Sequence, residues 1–589
     1  MYKKMKMDFN KKVIALLAVA LLATGSWSCK KITDEVPEDK LDITNAYQNT
    51  SDADAAVIGI YGQFLGLEKL YILQNEVRAD LVDVTGNADA YLKQLSNHTT
   101  TKDNPYVDPR PYYAVILNIN DALKNFNIMV ANHKMSVDDY NKHYADLGAL
   151  RSWIYLQLGA QYGSVPYITD PVENVEDVKN LSLYPRISFD DLLTRLIDFT
   201  EKLPYKEVYA YPAGNALIVG IDGQNTQKIF ICKPFVLGDL YLWKGNYLKA
   251  AENYAKIMNV ENNNTNINIQ FDVYKVVGYL SSAYNDLTVR YARGQDEGSL
   301  ITDGGWRNMF IQPTNNITWN SEFFWGIPYN PSYKPGNPMV EVCSSLYGKY
   351  LIKPSQVAID NWNAQRQYSG IPYDARGKLS YENSVAGPVI TKLTDNNTAL
   401  SSFNKGGKWG IYRAGLLHLR FAEAANRDGQ GKLGWAFMNI GIQDTYYTGT
   451  YVSGAKSPVS TAEINTMQTP YPTTSPYYFD ARSNSDYKSP WYRNTGIRNR
   501  AGVRAIDVSY QTDMLGLEGK LIDEDALELA FEGNRWPDLV RVARRQNNPA
   551  FLAERVYQKL LKAGDPNASA TRSKLMTPAN WYLPFDWGK

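Results

Sequence analysis

Three cysteines in 589 residues cannot supply a disulfide framework, so the folded chain is expected to depend on packing for its stability. Histidine is almost as scarce. His98, His133, His143 and His418 are scattered, with no His-x-x-x-His spacing and no HExxH, so a zinc hydrolase is not expected. CxxC, GxSxG and calcium-loop patterns are missing. Gly406-Gly407-Lys408 is not a phosphate loop, because Ser402 stands where its first glycine belongs and Trp409 where its hydroxyl belongs. Neither sign of charge dominates: the whole chain is at +1, and beyond residue 28 the 57 basic and 60 acidic residues leave −3. A polyanion-driven nucleic-acid binder is therefore disfavoured. After residue 23 no run of 18 apolar residues occurs, so no second membrane-spanning helix is expected.

What is present points to a large folded protein. Hydrophobic residues make up 44% and charged residues 21%, at a mean hydropathy of −0.39, which excludes both disorder and a polytopic membrane protein. The length lies well past the ~250–300 residues at which one core stops growing, so several domains or a repeat-built solenoid are expected. Tyrosine is in excess, at 43 residues beside 13 tryptophans and 18 phenylalanines.

The N-terminus reads as an export signal. Residues 1–12 are basic, Val13 to Ala23 is an eleven-residue apolar run, and Thr24-Gly25-Ser26 follows. At ~1.5 Å per residue that run reaches only ~17 Å, against the ~30 Å of a bilayer core. Ser26-Trp27-Ser28-Cys29 resembles a bacterial lipoprotein box, with Cys29 as the lipidated residue, although Ser26 replaces the usual Leu and Trp27 a small residue. A plain secreted protein cut near Cys29 is the alternative. Lys30 to Lys40 is charged, carries Pro37 and reads as a tether.

The most informative internal segment is Phe235 to Met258. Leu237, Gly238, Tyr241, Gly245, Tyr247, Ala250 and Tyr254 fall at the spacing of a tetratricopeptide helix pair. Gly238 and Ala250 are small where helices would cross closely, and Gly245-Asn246 supplies the turn. Further helices are predicted over Leu147–Tyr162, Phe189–Leu203 with Ser188 as N-cap, Tyr412–Arg427, Asp523–Glu532 and Trp536–Arg545. Long stretches rich in Asn, Gly, Pro, Ser and Tyr separate them, at Thr85–Arg110, Val260–Met339 and Val452–Ala501. Ser321–Ile327 reads as a short strand within one of these.

Several of these segments together resemble the SusD/RagB family of outer-membrane nutrient-binding lipoproteins. They are Ala149-Leu150-Arg151 through Tyr162-Gly163-Ser164-Val165-Pro166-Tyr167, Pro185-Arg186, the Phe235–Met258 repeat, Tyr412-Arg413, Glu423-Ala424-Ala425-Asn426, and above all the run from Glu528 to Arg541 (ELAFEGNRWPDLVR). In that run Trp536 is the expected buried plug. Asp538 with Arg541, and Glu532 with Arg535, read as exposed pairs worth a few tenths of a kcal/mol. The resemblance implies a mainly α fold: a tetratricopeptide-like scaffold with long irregular loops and a few short strands. The expected organisation is a signal over 1–28, a lipidated Cys29 with tether over 29–45, and one SusD-like domain over 46–589, helical-repeat to residue 260 and loop-rich from 261.

By that resemblance the protein is a non-catalytic, surface-exposed lipoprotein of the outer membrane; no cofactor is expected and no metal-ligating residue is singled out. It would capture an oligosaccharide and pass it to a SusC-like TonB-dependent β-barrel transporter. An oligopeptide cargo, or a surface glycosidase built on two carboxylates roughly 5–10 Å apart, are the alternatives. A sugar offers an apolar face and a hydroxyl rim, so its site needs rings beside amides and carboxylates. The candidates are Asn87, Asp89 and Tyr91 after the Asn75-Glu76 segment, Tyr329, Asn330 and Tyr333 after the short strand, and Tyr347 and Tyr350, matched by position in the order of elements. Trp306, Trp319 and Trp325 are expected in the core. The expected ligand is neutral and held mainly by stacking.

Overall fold

The computed structural model describes residues 47–172, 184–221, 224–258, 276, 308–311, 322–330, 334–368, 370–394, 406–446, 451–452, 455–456, 471–479 and 495–587. Cys29, Trp306, Trp319 and Tyr333 lie outside the described residues, as do the leader, the tether and most of the second and third long stretches.

Helices dominate, and each packs on the next along the chain. Arg110–Ala131 lies against Val137–Tyr162, which meets Phe189–Glu201; Lys233–Lys244 follows, then Tyr247–Met258, then Ala414–Arg427, which is covered by Gly431–Met438 and Met514–Glu528. This is the stacking logic of a helical-repeat scaffold, in which no single pair can bury its own apolar face. The mainly α, tetratricopeptide-like scaffold with a few short strands is as the sequence predicts.

Close crossings fall where small residues were expected. A Cβ on Gly238 would come within 2.3 Å of the Tyr254 ring, so the Lys233–Lys244 and Tyr247–Met258 helices can touch only through glycine. Gly245 ends the first of them at φ 82°, a left-handed cap that glycine adopts without strain. Ser188 caps the Phe189–Glu201 helix by accepting from the Asp191 amide, as predicted.

Several boundaries differ from expectation: the helix read over Leu147–Tyr162 starts at Val137, where Ser136 accepts from the Asp139 amide, and three others also have local reasons. Tyr412 and Arg413 end a strand rather than opening a helix, because Gly407–Arg413 pairs antiparallel with Phe323–Tyr329 and the helix starts only at Ala414. The Met514–Glu528 helix begins nine residues earlier than read, where Asp513 accepts from the Gly516 amide. It stops before Phe531 and Gly533, both at positive φ. The first long stretch is also not all loop: Asp89 caps a helix over Ala90–Ser96.

Aromatics explain much of the core. Phe64 stacks on Trp325 and Trp409 at centroid distances of 5.4 and 4.9 Å and meets Trp153 edge-on at 5.4 Å, so Trp325 is core as expected. Phe235 and Tyr412 stack at 3.8 Å. Many tyrosines serve the scaffold twice, with a buried ring and a hydroxyl that finds an acceptor. Tyr61 donates to Asp146 at 2.9 Å, Tyr155 to the Ile168 carbonyl at 2.8 Å, and Tyr254 and Tyr412 to Asp239 at 2.6 and 3.0 Å. Cys232 and Cys343 are buried and unbridged.

The Glu528–Arg541 run corrects its sequence reading. Trp536 is fully buried, as expected, with the Arg78 guanidinium 4.1 Å above its ring. The pairs expected at the surface are inside. Arg541 binds Glu423 at 2.6 Å and Asp538 at 2.9 Å, and Arg420 reaches the same Asp538 at 2.5 Å. Arg413 bridges Glu322, Glu528 and Glu532 at 2.7–2.8 Å, while Arg376 binds Asp374, Glu524 and Glu528 at 2.6–2.9 Å. Arg535 clasps Asp80 with two bonds of 2.6 and 2.8 Å, and Glu76 accepts the Gly533 and Asn534 amides at 2.7 and 3.1 Å. These contacts tie the first described helices to the last across more than 450 residues of chain.

Candidate functional site

Two segments read separately from sequence meet in space. Strand Val82–Val84 pairs antiparallel with Ile352–Pro354, so the turn at Thr85–Asn87 lies beside Tyr347–Tyr350. The join is stitched by backbone and side chain. The Thr85 amide donates to the Leu351 carbonyl at 2.9 Å, the Thr85 hydroxyl to the Tyr350 carbonyl, and Asn87 Nδ2 to the Lys349 carbonyl at 3.1 Å. A hairpin, Tyr381–Ser384 with Gly387–Ile390, forms the third wall. Tyr350 fastens it by donating to the Pro388 carbonyl at 2.9 Å.

These three walls enclose a cleft of about 360 Å³, lined by Val84, Thr85, Gly86, Asn87, Tyr350, Lys353, Ala386, Gly387 and Pro388. That is within the size range of small-molecule sites. Its chemistry is an amide, a hydroxyl, backbone groups, one ring and one ammonium. Among the described residues no carboxylate lines it, and the neighbouring Glu341 is held by Lys349 at 2.6 Å. The two acids that glycoside hydrolysis uses are thus not among its lining residues. Leu346 and Val385 stand exposed in the loop and hairpin that bound the cleft, linked by a Ser345–Ser384 contact of 3.5 Å.

The candidates differ in what they offer. Asn87 is exposed and lines the cleft. Tyr91 is 39% exposed on the Ala90–Ser96 helix. Tyr347 is half-buried, and Tyr350 is buried, with its ring in the wall. Both Asp89 oxygens are engaged, one by the Leu92 amide at 2.7 Å and one by the Tyr106 hydroxyl at 2.9 Å, which makes Asp89 a helix cap. Tyr329 is in the core and donates to the Glu68 carboxylate. Burial raises Glu68 to about 8, so it is largely neutral near pH 7. Thr85, Gly86, Lys353 and the hairpin were not read from sequence, although Asn383-Ser384-Val385-Ala386-Gly387 carries a turn signal.

Among the described residues no group of three or more His, Cys, Asp or Glu could hold a metal ion. His98 contacts the Arg78 carbonyl at 2.8 Å, His143 contacts Asp54 at 2.6 Å, and His418 is buried on its helix.

Residues 487–585 match the model of the SusD family. The SusD-like protein P25 of Formosa agariphila is 25% identical over 219 residues, a match that covers 34% of this chain and 38% of that protein. Among solved structures, surface glycan-binding protein A from Bacteroides uniformis superposes with a TM-score of 0.56 at 15% identity, covering 92% of this chain and 97% of that one. A SusD-like carbohydrate-binding protein from Bacteroides fragilis superposes with a TM-score of 0.54 at 14% identity, covering 86% and 88%. Residues 487–585 thus carry the sequence pattern of the SusD family, and the fold is the one that these SusD-like and glycan-binding structures share.

Proposed function

We propose that the protein is a cell-surface lipoprotein which captures an oligosaccharide in the cleft between Thr85–Asn87, Tyr350 and the 384–388 hairpin turn. It then hands the sugar to a SusC-like TonB-dependent barrel in the outer membrane. The observation that carries the reading is the cleft itself: amide, hydroxyl and ring are gathered from three separate segments, with no carboxylate pair among them. Such a lining suits a neutral ligand with an apolar face and a hydroxyl rim. The fold neighbours described as glycan- and carbohydrate-binding support a sugar cargo. Asn87 would hydrogen-bond the rim, Tyr91 and Tyr347 would offer faces, and Tyr350 would fix the wall behind them. Tyr333 belongs to the same proposal by its position in the chain. Cys29 would carry the lipid, and binding alone, without turnover, would be the protein's task.

Isothermal titration with neutral oligosaccharides and with oligopeptides, at two ionic strengths, tests the cargo. Sugar binding that varies little with salt is expected, because salt screens charge pairs and leaves stacking almost untouched. Peptide binding without sugar response would move the cargo to peptides, and turnover of a sugar would make the protein a hydrolase. Release of Cys29→Ala from membranes, and co-purification of a β-barrel protein after gentle detergent extraction, test the anchor and the partner.

A further inference from the structure

The chain's end shapes a second and larger recess. Leu583 donates its amide to the Gln161 carbonyl at 2.8 Å, which lays the 582–587 segment across the C-terminus of the Val137–Tyr162 helix. Beneath it, between the loop after the Ala90–Ser96 helix and the Arg186–Ser188 strand, lies a space of about 680 Å³. Two properties set it apart from the Tyr350 cleft, with which it shares no lining residue.

One is charge. Arg78, Lys102, Arg186 and Lys574 all line the recess, and among the described residues no Asp or Glu does. Where three of these cations are held, they are held by neutral acceptors. Lys574 donates to the His98 carbonyl at 2.6 Å and Arg186 to the Ser164 carbonyl at 3.3 Å; buried Arg78 donates to Gln161 Oε1 at 2.6 Å and to the Trp581 carbonyl. Elsewhere in the fold, Arg376, Arg413, Arg535 and Arg541 are each neutralised by carboxylates. A concave site lined by one sign of charge focuses its field into the recess. Burial, and secondarily the Arg78 charge, hold His98 well below its usual range, so His98 adds a neutral ring to the lining.

The other is shape. Tyr582, Phe585 and Trp587 line the same space, with Trp587 set edge-on to Tyr162 at 5.5 Å and to Phe585 at 5.0 Å. A simple inorganic anion needs the cations but not the rings. A sugar ring with an acidic substituent uses both, its apolar C–H face against the rings and its anion among the cations, and the volume is that of a small-molecule site.

We propose that this recess binds an acidic saccharide, with its carboxylate or sulfate between Lys102, Arg186 and Lys574 and its ring against the aromatic wall of the C-terminal segment. The assignment is independent of the cargo in the Tyr350 cleft and stands whether that cargo is sugar or peptide.

Titration of the full chain with trigalacturonate, a sulfated trisaccharide, maltotriose and hexaglutamate tests it. At least one of the two acidic sugars is expected to bind, and the one that does identifies the acidic group. That binding should weaken as salt rises from about 50 to about 300 mM. Lys102→Ala and Arg186→Ala, both at exposed positions, should each weaken it about tenfold, the loss that goes with one charge-assisted hydrogen bond. Tyr91→Ala, on the helix beside the other cleft, should leave it unchanged. Failure of both acidic sugars, equal binding of maltotriose, or an unchanged affinity in Lys102→Ala and Arg186→Ala would overturn the proposal. Tighter binding of hexaglutamate than of either sugar would also overturn it, in favour of an acidic protein segment. Loss in Tyr91→Ala would assign the acidic sugar to the Tyr350 cleft, again against the proposal. Should Trp587→Ala loosen the terminal segment, the charge reversal Lys102→Glu provides the readout without touching the packing.

Discussion

The helical seam around Glu528–Arg541 and the cleft beside Tyr350 handle polarity in opposite ways. In the seam, arginines and carboxylates are removed from water and paired with one another. In the cleft, hydroxyls are braced by backbone contacts and the Asn87 amide, although it donates to the Lys349 carbonyl, stays exposed. The segment most recognisable in sequence is thus one that lines no part of the proposed site. A sequence pattern built on a buried network reports the scaffold, while the proposed cargo site is made by a turn and a hairpin outside that pattern.

The sharpest way to break that contrast is to unbalance the seam. Arg413→Met leaves Glu322, Glu528 and Glu532 short of a cation in a dry interior, and removing one partner of a buried ion pair costs about 3–5 kcal/mol. Urea unfolding should show this loss, and a near-normal midpoint would mean that the network is wet. Trp536→Ala should cost about 3 kcal/mol, at the low end for a buried large aromatic. The reason is that the indole N–H meets no acceptor among the described residues, so truncation also removes an unsatisfied donor. An unchanged melting temperature would place Trp536 outside the core.

How much of this was legible in sequence follows from the same contrast. Helix pairs at tetratricopeptide spacing, the Gly238–Tyr254 crossing, the Ser188 cap and the burial of Trp536 were readable, because each depends on residues close in the chain or on side-chain size. The burial of Asp538 and Arg541 was not. An i,i+3 pair looks the same on a wet or a dry helix face, and only Glu423 and Arg420, far away in sequence, make it dry. The proximity of Asn87 to Tyr350 was hidden for a similar reason, since it depends on a three-residue strand pairing across about 270 positions. Asp89 was read as a ligand group when its spacing to Leu92 is that of an N-cap. The cationic recess could not be seen at all, because Lys102, Arg186 and Lys574 cluster only in space.

Tyr329 sharpens the comparison through pH. Its place in the chain groups it with the cleft, yet its hydroxyl serves Glu68, whose folded pKa of about 8 lies above the ordinary carboxylate value of 4.5. A raised pKa means that the folded state holds the proton more tightly. The resulting stability is complete below the unfolded value and is lost as pH rises through 4.5 to about 8. Glu528 and Glu532 are lowered, so their own window lies below that range and does not overlap it. Glu76 and Asp146, raised to about 7 and about 6, share the window, so the comparison must be made between two chains. The stability difference between Glu68→Gln and the parent should shift in the variant's favour by about 1 kcal/mol per pH unit between roughly pH 5 and pH 8. Parallel pH profiles in urea unfolding would show that Glu68 is ionised in the fold.

The smallest effects belong to the cleft, where they discriminate best. Tyr91→Ala removes a ring that is 39% exposed, so it should lower sugar affinity by about 0.5–1.5 kcal/mol with an unchanged melting temperature. Tyr350→Ala should lower both. Its ring is buried and its hydroxyl holds the Pro388 carbonyl at 2.9 Å, so truncation frees the hairpin wall as well as emptying it. Tyr350→Phe separates the two contributions, keeping the ring while losing the hydroxyl anchor, which is worth about 1 kcal/mol. Tyr329→Phe is the control for position in the chain, because it should change the Glu68 titration and leave affinity alone. If Tyr91→Ala binds as the parent does while Tyr350→Phe does not, the sugar rests on the hairpin side of the cleft and stacking at the Ala90–Ser96 helix is excluded. If neither variant affects affinity, the cleft between Thr85 and Pro388 is not where the cargo sits.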